Sequence, residues 1–171
     1  MKSAMTLIEL LVVIGLVGII AGIGYPNLDG WNCKQLIRND FESLNNMFEQ
    51  ARAEAINRNQ SVIVEANRRL PADGVTYRAF LNNDRRCPGT QGRTAIPNEI
   101  PNITLSGETT AWGVPTQCFH SDGTATGSQA VQFHEVRRAC NGVNITYRVN
   151  IFSATGLFEK LVRGNNAWQD F

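Results

Sequence analysis

The sequence predicts an α+β protein in which a long N-terminal helix, membrane-spanning in its first half, packs on an antiparallel β-sheet. Three observations support this fold class: an apolar run near the N-terminus, a helical stripe of apolar residues after it, and alternating β-rich runs in the rest of the chain. A chain of 171 residues has room for one membrane segment and one compact domain of about 110–130 residues.

The apolar run extends from Met5 to Tyr25, and its polar side chains are Thr6 and Glu9. As a helix it would be roughly 30 Å long, which matches the hydrocarbon core of a bilayer. A signal peptide would end in a cleavage site of small residues, and the Tyr25-Pro26-Asn27 stretch is a poor one, so a membrane anchor explains the run better. A carboxylate inside such a span is costly, so Glu9 is predicted to have a function and a partner.

The stretch "AMTLIELLVVIGLVGIIAGIGYP" resembles the N-terminus of type IV pilins and type II secretion pseudopilins. That family has a short basic leader and a mature chain that starts F-T-L-I-E. Residues 6–9 match this start, and Pro26 falls where many members have a proline. The resemblance implies that prepilin peptidase cuts between Ala4 and Met5 and that Met5 is then N-methylated. The family more often has Gly before the cut and Phe after it.

The same resemblance implies how the chain is used. Glu9 would pair with the N-terminal amine of a neighbouring subunit inside a filament. The partners would be other major and minor pilins, the prepilin peptidase, the inner-membrane assembly platform, and membrane lipid before assembly. The chain would be a single-pass protein of the bacterial inner membrane with a periplasmic C-terminal domain, later moved into the pilus.

The implied domain division is a leader (1–4), an assembly helix (5–27), an amphipathic helix (28–59) and a β-rich part packed on it (60–171). The amphipathic helix is predicted from a stripe of apolar residues spaced at +4 and +3, which suits a helix packed on a sheet better than a cofactor site. Its members are Ile37, Phe41, Leu44, Phe48, Ala51 and Ala55. Gly22–Gly30 contains Pro26, which predicts a kink or a melted turn there; a mild kink without function is the alternative.

After Asn59 the period of the sequence changes from helical to β. The predicted strands are "SVIVEAN", "VTYRAFLN", "NITLSG", "AVQFHEV", "VNITYRVNIF" and "LFEKLV". Residues 87–101 hold three prolines and two glycines and are predicted to form a loop. The Asn141-Gly142 pair predicts a tight turn between two strands.

The four cysteines lie beyond the apolar run and contain no C-x-x-C pair, which argues against zinc and thioredoxin-like chemistry. An even number suggests two disulfides formed in an oxidising compartment. Four cysteines allow three pairings, of which we prefer Cys33 with Cys87 and Cys118 with Cys140.

The soluble half resembles the FimT/FimU/GspH class of minor pilins, in "EQARAEAINRNQSVIV", "CFHSDGTATG" and "YRVNIFSATG". The resemblance implies a minor type IV pilin that helps to initiate or cap pilus assembly. A minor pseudopilin of type II secretion shares the fold and is an alternative.

No pattern in the sequence indicates catalysis, so we predict neither enzymatic activity nor a cofactor. Cys118, His120 and Asp122 alternate and would share one face of a strand, but a metal site would need more ligands within reach. Surface or loop placement is the better prediction for these three residues.

A pilus-borne DNA receptor is the remaining alternative. Phosphate contacts favour arginine, and the chain has three arginine doublets. These are Arg68-Arg69, Arg85-Arg86 and Arg137-Arg138. Solvated turns and strand ends explain the doublets more simply, and without Lys2 the net charge of +1 falls to zero. Some DNA-binding relatives carry Gly-Arg-x-Arg in the C-terminal tail, where this chain has only Arg163.

Overall fold

The computed structural model describes residues 6–67, 74–87, 93–127, 129–164 and 167–171, without the side chains of residues 21–28, 93 and 164. One helix, α1, extends from Leu7 to Arg58 and is about 78 Å long. Asn59 ends it in the left-handed conformation, with its N–H bonded to the carbonyls of Ala55 and Ile56. The helix is continuous through Pro26, so residues 22–30 are not melted, and a kink at Pro26 stays a prediction.

The first part of α1 is the segment for which the sequence predicts a membrane span. Within the part of the chain that the structure describes, no helix is found that has both the length and the hydropathy needed to cross a membrane.

The C-terminal half of α1 carries the buried stripe that its spacing predicted. All six residues of the stripe, Ile37, Phe41, Leu44, Phe48, Ala51 and Ala55, are fully buried. Of the charged residues between them, Arg38 is exposed and Glu42 is half-buried, whereas Asp40 is buried. This amphipathic helix therefore supplies one wall of the hydrophobic core.

Ten strands follow the helix within the described residues. In chain order they are β1 (Ser61–Asn67), β2 (Thr76–Asn82), β3 (Arg93–Ala95), β4 (Ile103–Thr104), β5 (Thr110–Gly113), β6 (Thr116–Phe119), β7 (Val131–Cys140), β8 (Val143–Phe152), β9 (Phe158–Gly164) and β10 (Ala167–Asp170). The bounds predicted for β1 and β8 are confirmed, and the helix-then-sheet order of an α+β fold is as the sequence predicts.

The strands form two antiparallel sheets rather than one. The first has the order β3-β2-β1-β6, with β4 also paired to β2, and the second has the order β10-β9-β8-β7-β5. The chain passes from the second sheet to the first at residues 114–115. There Val114 N–H donates to Phe133 (3.4 Å) and the Pro115 carbonyl accepts from Ala66 (2.8 Å). The sheets are thus joined edge to edge at β5 and β6.

The helix packs across both sheets. The ring of Phe48 lies 6.4 Å from that of Tyr77 in β2 and 4.5 Å from the imidazole of His134 in β7. The loop before β5 is fastened to α1 by Asp40, whose carboxylate accepts hydrogen bonds from the Ser106 N–H and from the Thr109 hydroxyl at 2.7 Å. These contacts join the C-terminal half of α1 and the two sheets into one packed unit.

Candidate assembly surface

The N-terminal part of α1 has no partner among the described residues. Eleven large apolar side chains between Leu7 and Ile20 are each 46–76 % exposed. They occur on all sides of the helix, since residues 6–20 are exposed throughout. A helix that is apolar all round is stable only when lipid or other protein covers it. We call residues 7–20 the apolar segment.

Glu9 lies at the start of the apolar segment and is bonded to Thr6. Its carboxylate accepts hydrogen bonds from the Thr6 N–H (2.9 Å) and the Thr6 hydroxyl (3.0 Å), while the Glu9 N–H donates to that hydroxyl (3.4 Å). This reciprocal arrangement is a capping box, which satisfies N–H groups that the first turn of a helix leaves unpaired. The carboxylate also lies at the positive end of the helix dipole.

Two predicted site residues, Ala4 and Met5, lie outside the described residues, so cleavage and methylation there stay predictions. The side chain of Pro26 also lies outside the description. The predicted cleavage between Ala4 and Met5 therefore rests on the spacing of these two residues to Glu9 in the sequence.

Both disulfides are present, but the predicted pairing is wrong. Cys33 is bonded to Cys140, with the Cα atoms 5.7 Å apart, and Cys87 is bonded to Cys118, at 6.3 Å. The physical reason lies in the directions of the strands. β7 runs back along α1, so that its last residue reaches Cys33, whereas β6 lies beside β1 and brings Cys118 to the loop after β2.

The doublet Arg137-Arg138 is largely engaged within the domain. Arg137 donates to the buried carboxylate of Glu135 and lies over the ring of Trp112, 5.0 Å from its centroid. Arg138 pairs with Glu108 at 3.5 Å and is mostly buried. This doublet is therefore not a free phosphate-binding patch.

Of the other two arginine doublets, the structure describes one. Arg85 and Arg86 are exposed in the turn after β2. Arg68 and Arg69 lie outside the described residues. DNA binding stays a prediction.

The predicted surface or loop placement is wrong for Cys118, which is buried in β6, whereas His120 and Asp122 lie in the loop that follows it. Cys118 is in a disulfide, the Nδ1 of His120 accepts from the Cys87 N–H (3.3 Å), and Asp122 accepts from the N–H and hydroxyl of Thr124. Partial burial lowers the pKa of His120; Asp122 opposes this shift and Arg86 adds to it. In the part of the chain that the structure describes, no group of three metal-binding side chains is found.

Comparison with known families matches residues 40–155 to the family of the type II transport protein GspH. The chain belongs to the GspH family. The match covers the C-terminal part of α1 and most of both sheets, and it excludes the apolar segment and Glu9. The N-terminal motif and the family match therefore rest on different residues.

A solved structure supports the same fold for this GspH-family chain. The crystal structure of the type IV minor pilin FimU from Pseudomonas aeruginosa superimposes with a TM-score of 0.53 at 15 % identity, covering 80 % of this chain and 94 % of that one. No curated protein matches the chain. The fold is thus the pilin fold, and the chain is a pilin or pseudopilin of the GspH/FimU class.

Two features of this GspH-family domain were missed from the sequence. The first is Glu135, which is buried beneath Arg137 and Arg148 and bonded to both. Burial raises the pKa of Glu135, but hydrogen bonds from Arg148 and Arg137 outweigh it and hold the pKa below its ordinary value. The i, i+2 spacing of Glu135 and Arg137 on one strand face is the signal that could have indicated this pair.

The second missed feature is a groove beside the Cys33–Cys140 disulfide. It is lined by Trp31 and Lys34 of α1 and by Asn141 and Val143 of the β7–β8 turn. Nothing in the local sequence brings these two segments together, because the contact depends on the path of β7.

Proposed function

We propose that this chain is a minor pilin: a structural, non-enzymatic subunit that helps to initiate or cap a type IV pilus. The observation that carries the proposal is the apolar segment, which the other described residues of the chain leave uncovered. Burying a large aliphatic side chain stabilises a protein by about 1.5–3 kcal/mol. Eleven exposed side chains of this kind therefore strongly favour transfer of the segment into lipid or between neighbouring helices.

Before assembly the segment lies in the inner membrane, with the β-rich domain in the periplasm. Glu9 is then near the cytoplasmic interface, where its bonds to Thr6 satisfy part of the carboxylate. These local bonds lower the cost of holding an acid at the edge of a bilayer.

On assembly the apolar segment passes from lipid to the filament core. Prepilin peptidase has by then removed residues 1–4, and the methylated amine of Met5 is available to a neighbour's Glu9. A buried carboxylate gains most from a partner of opposite charge, so the pair favours one axial register between subunits. The assembly platform of the inner membrane is the implied site of this transfer.

The description of the family that matches, a type II transport protein, favours a second candidate. In that case the chain is a minor pseudopilin and its filament is a short periplasmic one. The solved structure of similar fold is that of a type IV minor pilin, which favours the pilus. Both candidates use the same apolar segment and the same Glu9.

The test is to locate an epitope-tagged chain in cells that make both kinds of filament. We expect the tag in pili sheared from the cell surface, and expect deletion of the gene to reduce piliation. A tag confined to the periplasm, with secretion lost and piliation intact, would support the pseudopilin. A tag in neither assembly would contradict both.

A further inference from the structure

Trp31 and Val143 are two exposed apolar residues at the end of the domain nearest the apolar segment. Trp31 is 62 % exposed on α1 and Val143 is 65 % exposed at the start of β8. They line one groove together with Lys34, one helical turn beyond Trp31. They come from segments more than a hundred residues apart, so the groove is formed by the fold.

The β7–β8 turn is held firmly against α1 at this point. Cys140, the last residue of β7, is bonded to Cys33. A side chain at Gly30 would collide with the amide of Asn141, so the turn approaches the helix closely. Asn141 and Gly142 both have positive φ (50° and 78°), as a tight two-residue turn requires.

The turn also points toward the N-terminal end of the helix. His134, in the middle of β7, contacts Phe48, whereas Cys140 is bonded to Cys33. β7 therefore runs along α1 toward the apolar segment. The β7–β8 turn lies at the end of the β-rich domain that is nearest to that segment.

We propose that Trp31 and Val143 contact phospholipid at the headgroup level of the periplasmic leaflet while the subunit awaits assembly. This inference rests on the membrane stage of the proposed function. Glu9 and Trp31 are 22 residues apart on one continuous helix, or about 33 Å, close to the roughly 30 Å of hydrocarbon in a bilayer. With Glu9 at one interface, Trp31 lies at the other.

The chemistry of the two side chains suits that depth. Indole has an apolar body and a polar N–H, and tryptophan is enriched at membrane interfaces for this reason. Helical side chains lean toward the N-terminus, which brings the Trp31 ring toward the bilayer. Lys34 can extend its ammonium to a phosphate, while Asp29 on the same helix leaves no net positive charge, so anionic lipid is not required.

The contact would fix the depth and rotation of the subunit. A single helix can slide and turn in a bilayer, but a second contact from the β7–β8 turn limits both motions. Because the disulfide joins the turn to the helix, the two contacts move as one body.

The experiment uses the full chain in zwitterionic phosphatidylcholine vesicles, with Trp31 as its only tryptophan. Trp112→Phe and Trp168→Phe each keep an aromatic ring for the arginine that packs on it. The lipids carry bromine, a fluorescence quencher, either near the headgroup end of the acyl chain or at mid-chain. We expect Trp31 to lose more fluorescence with the shallow bromine than with the deep one.

Val143→Asp should weaken the shallow quenching. Leu157→Asp, at an apolar residue of the β8–β9 turn that is also more than half exposed (55 %), should leave it unchanged. A chain that floats with the vesicles while neither bromine quenches Trp31 would overturn this inference and leave the proposed function standing. The same holds if Trp31 is shielded from an aqueous quencher but not reached by bromine, since protein would then cover it. A chain that does not float would overturn both.

Discussion

Cys33 on α1 is bonded to Cys140 at the end of β7, across 107 positions of the sequence. The bond fastens the second sheet to the helix about 20 Å beyond the end of the apolar segment. The other disulfide, Cys87–Cys118, closes only 31 positions within and beside the first sheet. The two bonds therefore constrain loops of very different length.

We predict that removing the longer bond destabilises the domain more. In the chain-entropy model the stabilisation by a disulfide increases with the logarithm of the loop length. Cys33→Ala/Cys140→Ala should therefore cost about 1 kcal/mol more than Cys87→Ala/Cys118→Ala. Urea unfolding of the full chain in detergent micelles, followed by fluorescence, measures both. Equal losses, or a larger loss for the shorter loop, would contradict this prediction.

Glu135 is predicted to contribute more to the free energy of unfolding than an exposed acid of the same domain does. Glu135→Gln keeps the shape but removes the charge between Arg137 and Arg148, and we expect a loss of about 1–3 kcal/mol in the free energy of unfolding. The matched control is Glu108→Gln, which disrupts the ion pair of an 80 % exposed acid with Arg138 and should cost under about 1 kcal/mol.

The same site predicts an acid-sensitive contribution to stability. The pKa of Glu135 is lower in the folded protein than in the unfolded one, so its contribution is complete above about pH 4.5 and is lost as the pH falls further. The difference in the free energy of unfolding between wild type and Glu135→Gln should be smaller at pH 4 than at pH 6. A constant gap between them would mean that the carboxylate charge is not what stabilises the site.

His120 predicts a second pH effect, in a higher range. Because its pKa is lowered in the folded state, the unfolded chain binds the proton more readily below about pH 6.5, and stability falls as the pH is lowered through that value. His120→Asn should reduce this dependence between about pH 7 and pH 5.5, as measured by the urea midpoint. An unchanged slope would place the effect elsewhere in the chain.

The fold could be predicted from the sequence where the relevant contacts are periodic. The stripe from Ile37 to Ala55 predicts which face of the helix is buried, because one helix carries the whole pattern. The short strands β3, β5, β6 and β10 were missed, since three or four residues carry too little pattern. The division into two sheets was missed for the same reason, as it depends on β5 and β6.

The candidate site, too, could be predicted only where a pattern is local in the sequence. Glu9 was found because its motif lies within a few consecutive residues. The partners of Cys33 and Trp31 were not found, because they depend on where β7 ends relative to α1. The preferred cysteine pairing tied each segment to a later one that does not lie beside it; instead β7 brings Cys140 to α1, and β6 lies beside β1 and brings Cys118 to Cys87.

We propose that Glu9 selects the register in which this subunit docks, and the recruitment of a Glu9→Ala variant is the direct test. Removing one partner of a buried pair costs roughly 3–5 kcal/mol, so the variant should insert in the membrane and fold but be poorly recruited. Asp29→Ala removes another exposed acid of the same helix and serves as the control. The measurement is the amount of tagged subunit in sheared filaments relative to membranes. We expect a strong loss for Glu9→Ala, partial recovery for Glu9→Asp and no loss for Asp29→Ala; equal amounts of wild type and Glu9→Ala would contradict the account.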